Sequence, residues 1–324
     1  MARKMLIDTD TASDDAVALV LALTDPDVDV IAVTVVAGNV TAAQGARNAV
    51  YTRDLCGTRV PVYLGAEQPL ERPLVTAQNV HGQDGMGDIG LPLETCVPDS
   101  GDAVDKIVEL AHSHPGELTL VALGPLTNIA QALRRDPSIA TLFDRVVIMG
   151  GTADHSGNIT PVAEFNIYVD PEAADIVFRS GLPIEMVGWD VSRRDATLSE
   201  DELDELAGLG PLGEFCAGIQ RQLLNFCRTV TKIDGIDLPD PVTMAVALQP
   251  QVATEVIRSY VAVETAGSLT RGMTVVDRLG LLEQEPNAHV VLRADRGRFL
   301  SMLEAVCARS AGASIDRVVD GSES

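Results

Sequence analysis

Lysine is nearly missing from this chain. Lys4, Lys106 and Lys232 are the only three among 324 residues, acidic residues outnumber Lys plus Arg by 47 to 24, and the net charge is −23. Such a surface repels phosphate backbones, so nucleic acid polymers are poor candidates as partners, while small neutral ligands remain open. Cysteine is also scarce. Cys56, Cys96, Cys216, Cys227 and Cys307 are scattered, odd in number and without a C-x-x-C pair, which speaks against a disulfide framework or a zinc site. No apolar run approaches the roughly 18 residues of a membrane span. The opening Met-Ala-Arg-Lys-Met-Leu-Ile-Asp turns acidic too soon for a signal peptide. These absences describe a reduced protein of the cytoplasm.

What is present is a repeating alternation. Apolar, β-rich runs at 4–7, 28–36, 60–64, 117–123, 144–149, 183–188, 257–264 and 288–293 are separated by helical periodicity near 14–23, 41–56, 101–113, 126–135, 171–180, 200–208, 211–227, 241–248 and 296–309. The pattern predicts an α/β fold: an open, mostly parallel sheet with helices on both faces, and a site at the C-terminal ends of the strands. No linker divides the chain, so residues 1–310 are expected to form a single domain, with 311–324 as a frayed tail. The longest irregular stretch, about 65 to 100, is rich in Gly and Pro and suits a lid or binding loop.

The most specific segment is Asp8-Thr-Asp10-Thr-Ala-Ser-Asp14-Asp15, between the first strand and the first helix. Two unit charges about 5 Å apart repel by roughly 3 kcal/mol at an effective dielectric near 20. Four converging carboxylates therefore need a cation or must give up charge, and a hard divalent ion with oxygen ligands is the simplest solution. Capping of the helix by Ser13, with Asp14 and Asp15 facing its positive end, explains two of the acids and leaves Asp8 and Asp10 without a role.

Further polar groups fall at comparable strand ends. Asn39 closes Val35-Val-Ala-Gly-Asn, Thr127 and Asn128 follow Gly124-Pro-Leu, and Met149-Gly-Gly151 ends a third strand. Asn158, Glu164 and Asn166 lie in a stretch whose amides and acid suit sugar hydroxyls, which both donate and accept. Asp240, before Pro241 and an apolar helix, reads locally as an N-cap. His81 stands in the long loop as a general acid or a loop anchor, and Trp189, the only tryptophan, could stack on a ring or pack.

Together these motifs resemble the inosine–uridine-preferring nucleoside hydrolases, metal-dependent N-ribohydrolases. The resemblance runs nearly the full length, through Asp8-Thr-Asp-x-x-x-Asp-Asp15, Val36-Ala-Gly-Asn39, His81-Gly-x-x-Gly-Met-Gly87, Gly124-x-Leu-Thr-Asn128, Met149-Gly-Gly151, Ala163-Glu-Phe-Asn166, Asp170-Pro-Glu-Ala-Ala174 and Asp240-Pro241. It implies hydrolysis of a ribonucleoside to ribose and free base. It implies Ca²⁺ held by Asp10, Asp15, the Thr127 carbonyl and Asp240, with a metal-bound water as nucleophile and Asp10 as its base. Asp14 and Asn166 would bind the ribose 2′- and 3′-hydroxyls, assisted by Asn39 and Asp240, and Asn158 and Glu164 the 5′-hydroxyl. The partner would be a small ribonucleoside, and the assembly a homodimer or homotetramer.

One position departs from the pattern. Many members carry a histidine immediately before the last metal-binding aspartate, where this chain has Pro239. Proline has no proton to give a leaving base, so His81 is the remaining candidate acid, and Trp189 or Phe226 are candidates for stacking. Two other readings stay open here: a nucleoside-binding protein whose catalysis has lapsed, and an aspartyl-nucleophile phosphatase built on Asp8-Thr-Asp10. The phosphatase reading leaves Asp14, Asp15 and the Glu164–Asn166 motif without a function.

Overall fold

In β1 (Arg3–Thr9) successive side chains enter opposite cores: Met5 and Ile7 join one apolar cluster and Leu6 the other. Only a strand covered on both faces buries a continuous apolar run in this way. The computed structural model describes residues 2–232 and 234–309, so the expected tail at 311–324 lies outside the described residues.

The other strands are β2 (Val28–Val35), β3 (Val62–Leu64), β4 (Asp99–Asp102), β5 (Leu118–Ala122), β6 (Phe143–Met149), β7 (Ile184–Val187), β8 (Thr197–Leu198), β9 (Ile236–Asp237), β10 (Ala253–Val263), β11 (Thr274–Asp277) and β12 (Ala288–Ala294). Ten of them form one sheet in the order β11-β10-β12-β7-β6-β5-β1-β2-β3-β4, and β8 and β9 form a separate antiparallel pair. Every pairing from β12 to β4 is parallel; β10 alone runs against both of its neighbours.

The helices are α1 (Ser13–Thr24), α2 (Ala42–Leu55), α3 (Gln78–His81), α4 (Ala103–Ser113), α5 (Thr127–Arg135), α6 (Phe165–Val169) and α7 (Pro171–Phe178). They continue as α8 (Trp189–Asp195), α9 (Glu200–Ala207), α10 (Pro211–Gly218), α11 (Arg221–Phe226), α12 (Pro239–Leu248) and α13 (Arg296–Cys307). One face of the sheet packs against α1, α2, α12 and α13, with Phe299 at its centre; the other packs against α4, α5 and α7, with Phe178. Each of these fully buried rings contributes about 1.5–3 kcal/mol through burial. Asp170 caps α7 by accepting from the Ala173 N–H at 3.0 Å, ahead of Pro171.

The sequence expectation of one helix over 211–227 is corrected: α10 ends at Gly218 and α11 begins at Arg221. The intervening turn is where the 81–87 loop docks. Gly87, at φ +77°, lies so close to the Ile219 carbonyl that a Cβ there would sit 2.7 Å from the oxygen. The strands β4 and β11 were not expected either. Asp-Ser-Gly-Asp carries no apolar signal, and both are four-residue strands at the two ends of the sheet. From β1 the chain moves outward through β2, β3 and β4, then returns to β5 on the opposite side of β1. Strand order therefore reverses between β1 and β5, and the crevice beyond their carboxyl ends is the place where such sheets bind ligands.

Candidate active site

β1 ends in the polar pair Asp8-Thr9, whereas β5 ends in Ala122. Asp8 is fully buried. Its Oδ1 accepts from Thr34 Oγ1 on β2 and from Asn128 Nδ2 on α5, each at 2.8 Å. Burial pushes its carboxyl up to about 7, against the lowering effect of those two bonds. Asn128 in turn accepts the Ala66 N–H at 2.8 Å. Asp8 therefore ties β1, β2 and α5 together behind the crevice.

The next turn carries local strain. Thr11 has φ +25°, in the left-handed region that a β-branched residue rarely enters. Its N–H donates to Thr9 Oγ1 at 3.0 Å, and its carbonyl accepts from the buried Asn48 Nδ2 at 2.9 Å. The twist brings Asp10 and the start of α1 into one pocket. Asp10 Oδ2 accepts the Asn39 backbone N–H at 2.5 Å, while its Oδ1 is buried without a partner. Two glycines press on this carboxylate. A Cβ at Gly38 would lie 2.1 Å from Oδ2, and one at Gly124 would lie 2.9 Å from Oδ1.

Ser13 does not cap α1 with its side chain, because it is already the first helical residue. Its hydroxyl is 2.8 Å from His81 Nδ1 and donates to Gln220 Oε1 at 3.2 Å. Asp15 uses both oxygens locally, accepting from Thr9 Oγ1 at 2.5 Å and from the Ala12 N–H at 2.9 Å. Asp14 Oδ1 is buried with no hydrogen-bond partner. Asp240 does not cap α12 as its local sequence suggests. The helix starts one residue earlier, at Pro239, which places Asp240 in the first turn, facing the cluster.

Asp14, Asp15 and Asp240 each offer an oxygen within 4.8 Å of the others, and Asp10 stands beside them against Asp15. All four carboxyls are raised above the ordinary carboxylate range, and burial is the largest cause in each case. The neighbouring acids add to this: Asp15 acts on Asp10, and Asp15, Asp14 and Asp10 all act on Asp240. Asp14 reaches about 6, with the charge of Asp237 contributing. Buried carboxylates this close, with two oxygens lacking any protein partner, fit a hard divalent cation through their donor chemistry.

The other expected residues divide. Thr127 is buried at the start of α5, where its hydroxyl donates to Asp170 Oδ2 at 2.7 Å. Asn166 is buried on α6 and spends its amide donors on the Leu123 carbonyl at 2.7 Å and the Met149 carbonyl at 3.4 Å, which leaves its carbonyl oxygen to accept. Asn39 is buried at the Asp10 contact. Glu164 caps α6: its oxygens accept from the N–H groups of Asn166, Ile167 and Gly151, and burial raises it to about 7. Asn158 lies exposed on the 157–163 loop, outside the buried cluster.

His81 is buried, 3.9 Å from Asp14 Oδ1, and burial lowers its pKa to about 4, so the ring is neutral at pH 7. Trp189 donates from Nε1 to Asp237 Oδ2 at 2.6 Å, and the Arg193 guanidinium covers its ring at 4.4 Å. That contact occupies one face expected for stacking. Phe226 is half-buried on α11.

Sequence reasoning missed three supporting residues, Asn48, Gln220 and Asp237, and picked out Asn128 without giving it a role. Asn48 carries a usable signal, an amide within an alanine- and valine-rich helix face; Asp237 carries another, an acid three residues before Asp240.

Comparison with known proteins agrees with this geometry. A family model described as inosine-uridine preferring nucleoside hydrolase matches residues 5–301. A pyrimidine-specific ribonucleoside hydrolase RihA from Photobacterium profundum is 41% identical over 309 residues, covering 94% of this chain and 98% of the relative. Among solved structures, the plant nucleoside hydrolase PpNRh1 superposes with a TM-score of 0.90 at 33% identity, covering 95% of this chain and 99% of that one. An inosine-guanosine nucleoside hydrolase gives 0.86 at 33% identity, with the same coverage.

Proposed function

The chain belongs to the inosine–uridine-preferring nucleoside hydrolase family, and from that premise we propose how its carboxylate cluster works. The protein is a ribonucleoside hydrolase, cleaving the N-glycosidic bond to give ribose and free base. The cation is proposed to be Ca²⁺, held by Asp10, Asp15, Asp240 and the Thr127 carbonyl. When bound, such an ion supplies Lewis acidity that lowers the pKa of water.

Asp10 takes the proton of the attacking water on Oδ1, the oxygen without a protein partner, while the Asn39 N–H fixes Oδ2. A positioned base of this kind contributes typically 10²–10⁴-fold. Bond cleavage leaves positive charge on the ribosyl ring, and the buried carboxylates stabilise it electrostatically. Asp14 and the free Asn166 oxygen receive ribose hydroxyls, with Asn39 and Asp240 beside them. Glu164 and Asn158 are assigned the 5′-hydroxyl; Glu164 reaches that role with its carboxylate already oriented by three backbone donors.

The observation that carries this reading is the pair of buried oxygens without partners, Asp10 Oδ1 and Asp14 Oδ1, beside Asp15 and Asp240. The reading extends to a single domain over 1–310, a cytoplasmic location and a homodimer or homotetramer. The net charge of −23 supports free nucleosides over nucleic acid as substrate. The test is release of reducing sugar from inosine, guanosine, adenosine, uridine and cytidine, with CaCl₂ or with EDTA. Turnover that vanishes in Asp10→Ala and in EDTA supports the reading. Binding without turnover on every nucleoside refutes it.

A further inference from the structure

Beside the carboxylate cluster runs a chain of three buried polar side chains, Gln220, Ser13 and His81, none of which the mechanism above uses. Ser13 Oγ lies 2.8 Å from His81 Nδ1 and 3.2 Å from Gln220 Oε1. His81 Nδ1 is also 3.9 Å from Asp14 Oδ1, the enclosed oxygen without a hydrogen-bond partner. Gln220 stands in the turn between α10 and α11 and lines a small void with Cys216, Leu238 and Leu303. Its Nε2 is enclosed and has no partner. A buried amide that is half satisfied costs stability, so a carboxamide at 220 calls for a use beyond packing. The second ring nitrogen, His81 Nε2, makes no hydrogen bond among the described residues, yet it is not enclosed, so solvent reaches it.

A serine hydroxyl has one hydrogen to give. Ser13 gives it either to Gln220 Oε1 or to His81 Nδ1, and the choice fixes the ring. If Gln220 takes it, Nδ1 must carry its own hydrogen to bond Ser13 Oγ, and the neutral ring keeps a lone pair on Nε2. If the amide turns round and His81 takes it, the ring proton sits on Nε2 and the Nδ1 lone pair lies near Asp14 Oδ1. The first arrangement brings an N–H dipole to that carboxylate and the second brings a lone pair, so electrostatics favours the first.

We propose that Gln220 is a positioning residue: by taking the Ser13 hydrogen it holds His81 as the Nδ1–H tautomer, so that Nε2 meets the substrate as an acceptor for a ribosyl hydroxyl. The ribosyl half is the partner because Asp14, 3.9 Å from the ring, is the carboxylate assigned to the sugar. That substrate role rests on the ribonucleoside-hydrolase reading; the tautomer does not.

The tautomer is read by ¹⁵N NMR of protein labelled at its five histidines, at pH 7 in CaCl₂, with the His81 signals identified by their absence from His81→Ala. Wild-type His81 is expected to show Nδ1 protonated and Nε2 bare. Gln220→Leu removes the acceptor, and the pattern is expected to shift toward Nε2–H. Gln220→Glu keeps an acceptor at the same place and is expected to retain the wild-type pattern. In Gln220→Leu, kcat/KM for inosine and for a p-nitrophenyl β-riboside is expected to fall alike, by about tenfold or more, as when a histidine loses the partner that fixes its ring.

A wild-type ring protonated on Nε2, or a folded Gln220→Leu protein with the wild-type pattern, overturns the tautomer assignment. A far larger loss on inosine than on the p-nitrophenyl riboside overturns the placement of Nε2 at the ribosyl half. Failure of the wild-type enzyme to cleave either riboside overturns the ribohydrolase reading and the substrate role of Nε2 with it, while the NMR pattern still decides the tautomer.

Discussion

Replacing Gly38 by alanine probes the site without removing any functional group. A Cβ at 38 would stand 2.1 Å from Asp10 Oδ2 and 2.7 Å from Pro125 Cδ. Ordinary contact begins near 3.4 Å, so the overlap with the carboxylate is about 1.3 Å. Pro125 blocks retreat on one side. On the other, the Oδ2 bond to the Asn39 N–H resists rotation. A Cβ at Gly124 would likewise lie 2.9 Å from Oδ1, so the carboxylate has little room on that side too.

Asp10 must therefore shift by roughly an ångström. A displacement of about 1 Å in a catalytic group costs about 100-fold in rate, equivalent to about 2.7 kcal/mol of transition-state stabilisation. Overpacking adds about 1–3 kcal/mol of folding destabilisation. Steady-state kinetics on inosine and uridine, beside urea unfolding, separates the two effects. The expectation is a fall of about 100-fold in kcat/KM in protein that remains folded. A Gly38→Ala enzyme within twofold of wild type would refute the claim that Asp10 is confined here and acts from this position.

Asn128→Ala removes a donor to the buried Asp8 carboxylate and the acceptor of the Ala66 N–H, so urea unfolding is expected to show a loss of about 2–4 kcal/mol; a loss under 1 kcal/mol would contradict the assigned bonds. Metal-stripped protein is expected to lose stability as pH rises. Asp14 is raised to about 6 and Asp8 to about 7 in the folded state. Both are above the usual carboxylate value, so the stabilisation is complete below pH about 4 and disappears as pH passes through 6 to 7. Because protons compete with the cation, CaCl₂ should raise the melting temperature more at pH 8 than at pH 5, and equal shifts would contradict the assigned cluster. With its ring neutral at pH 7 and Nδ1 against Ser13, His81 is expected to give no proton to the leaving base, so His81→Ala should slow inosine and p-nitrophenyl riboside cleavage alike; a far larger loss on inosine would restore it as the leaving-group acid.

The sheet was legible because its strands are buried on both faces and read as unbroken apolar runs, from Met5-Leu6-Ile7 to Val146–Met149. The carboxylate cluster was legible because helix capping explains at most two of the four acids in eight residues. What escaped depends on contacts that local sequence does not encode. Asp240 looks like a cap until Pro239 is seen to start the helix, and Ser13 looks like a cap until His81, 68 positions away, is seen against its hydroxyl. Asn158 carries the right chemistry on a loop that the fold leaves exposed. Trp189 reads from sequence as either stacking on a ring or packing, and in the fold Asp237 and Arg193 hold it.

The two ends of the ten-stranded sheet bear on how this protein behaves in a crowded solution. An open sheet edge offers unpaired N–H and C=O groups to any passing strand, and long flat edges seed aggregation. Here one edge is β4, four exposed residues reading Asp-Ser-Gly-Asp, and the other is β11, four residues ending in Asp277. Each is too short to template a long ladder, and each places acid where an incoming strand of the same protein, itself strongly negative, would pair. Strand-to-strand growth between molecules is thereby disfavoured at both margins, and concentrated or heated samples should resist fibre formation until salt screens the charge or the edges themselves unfold.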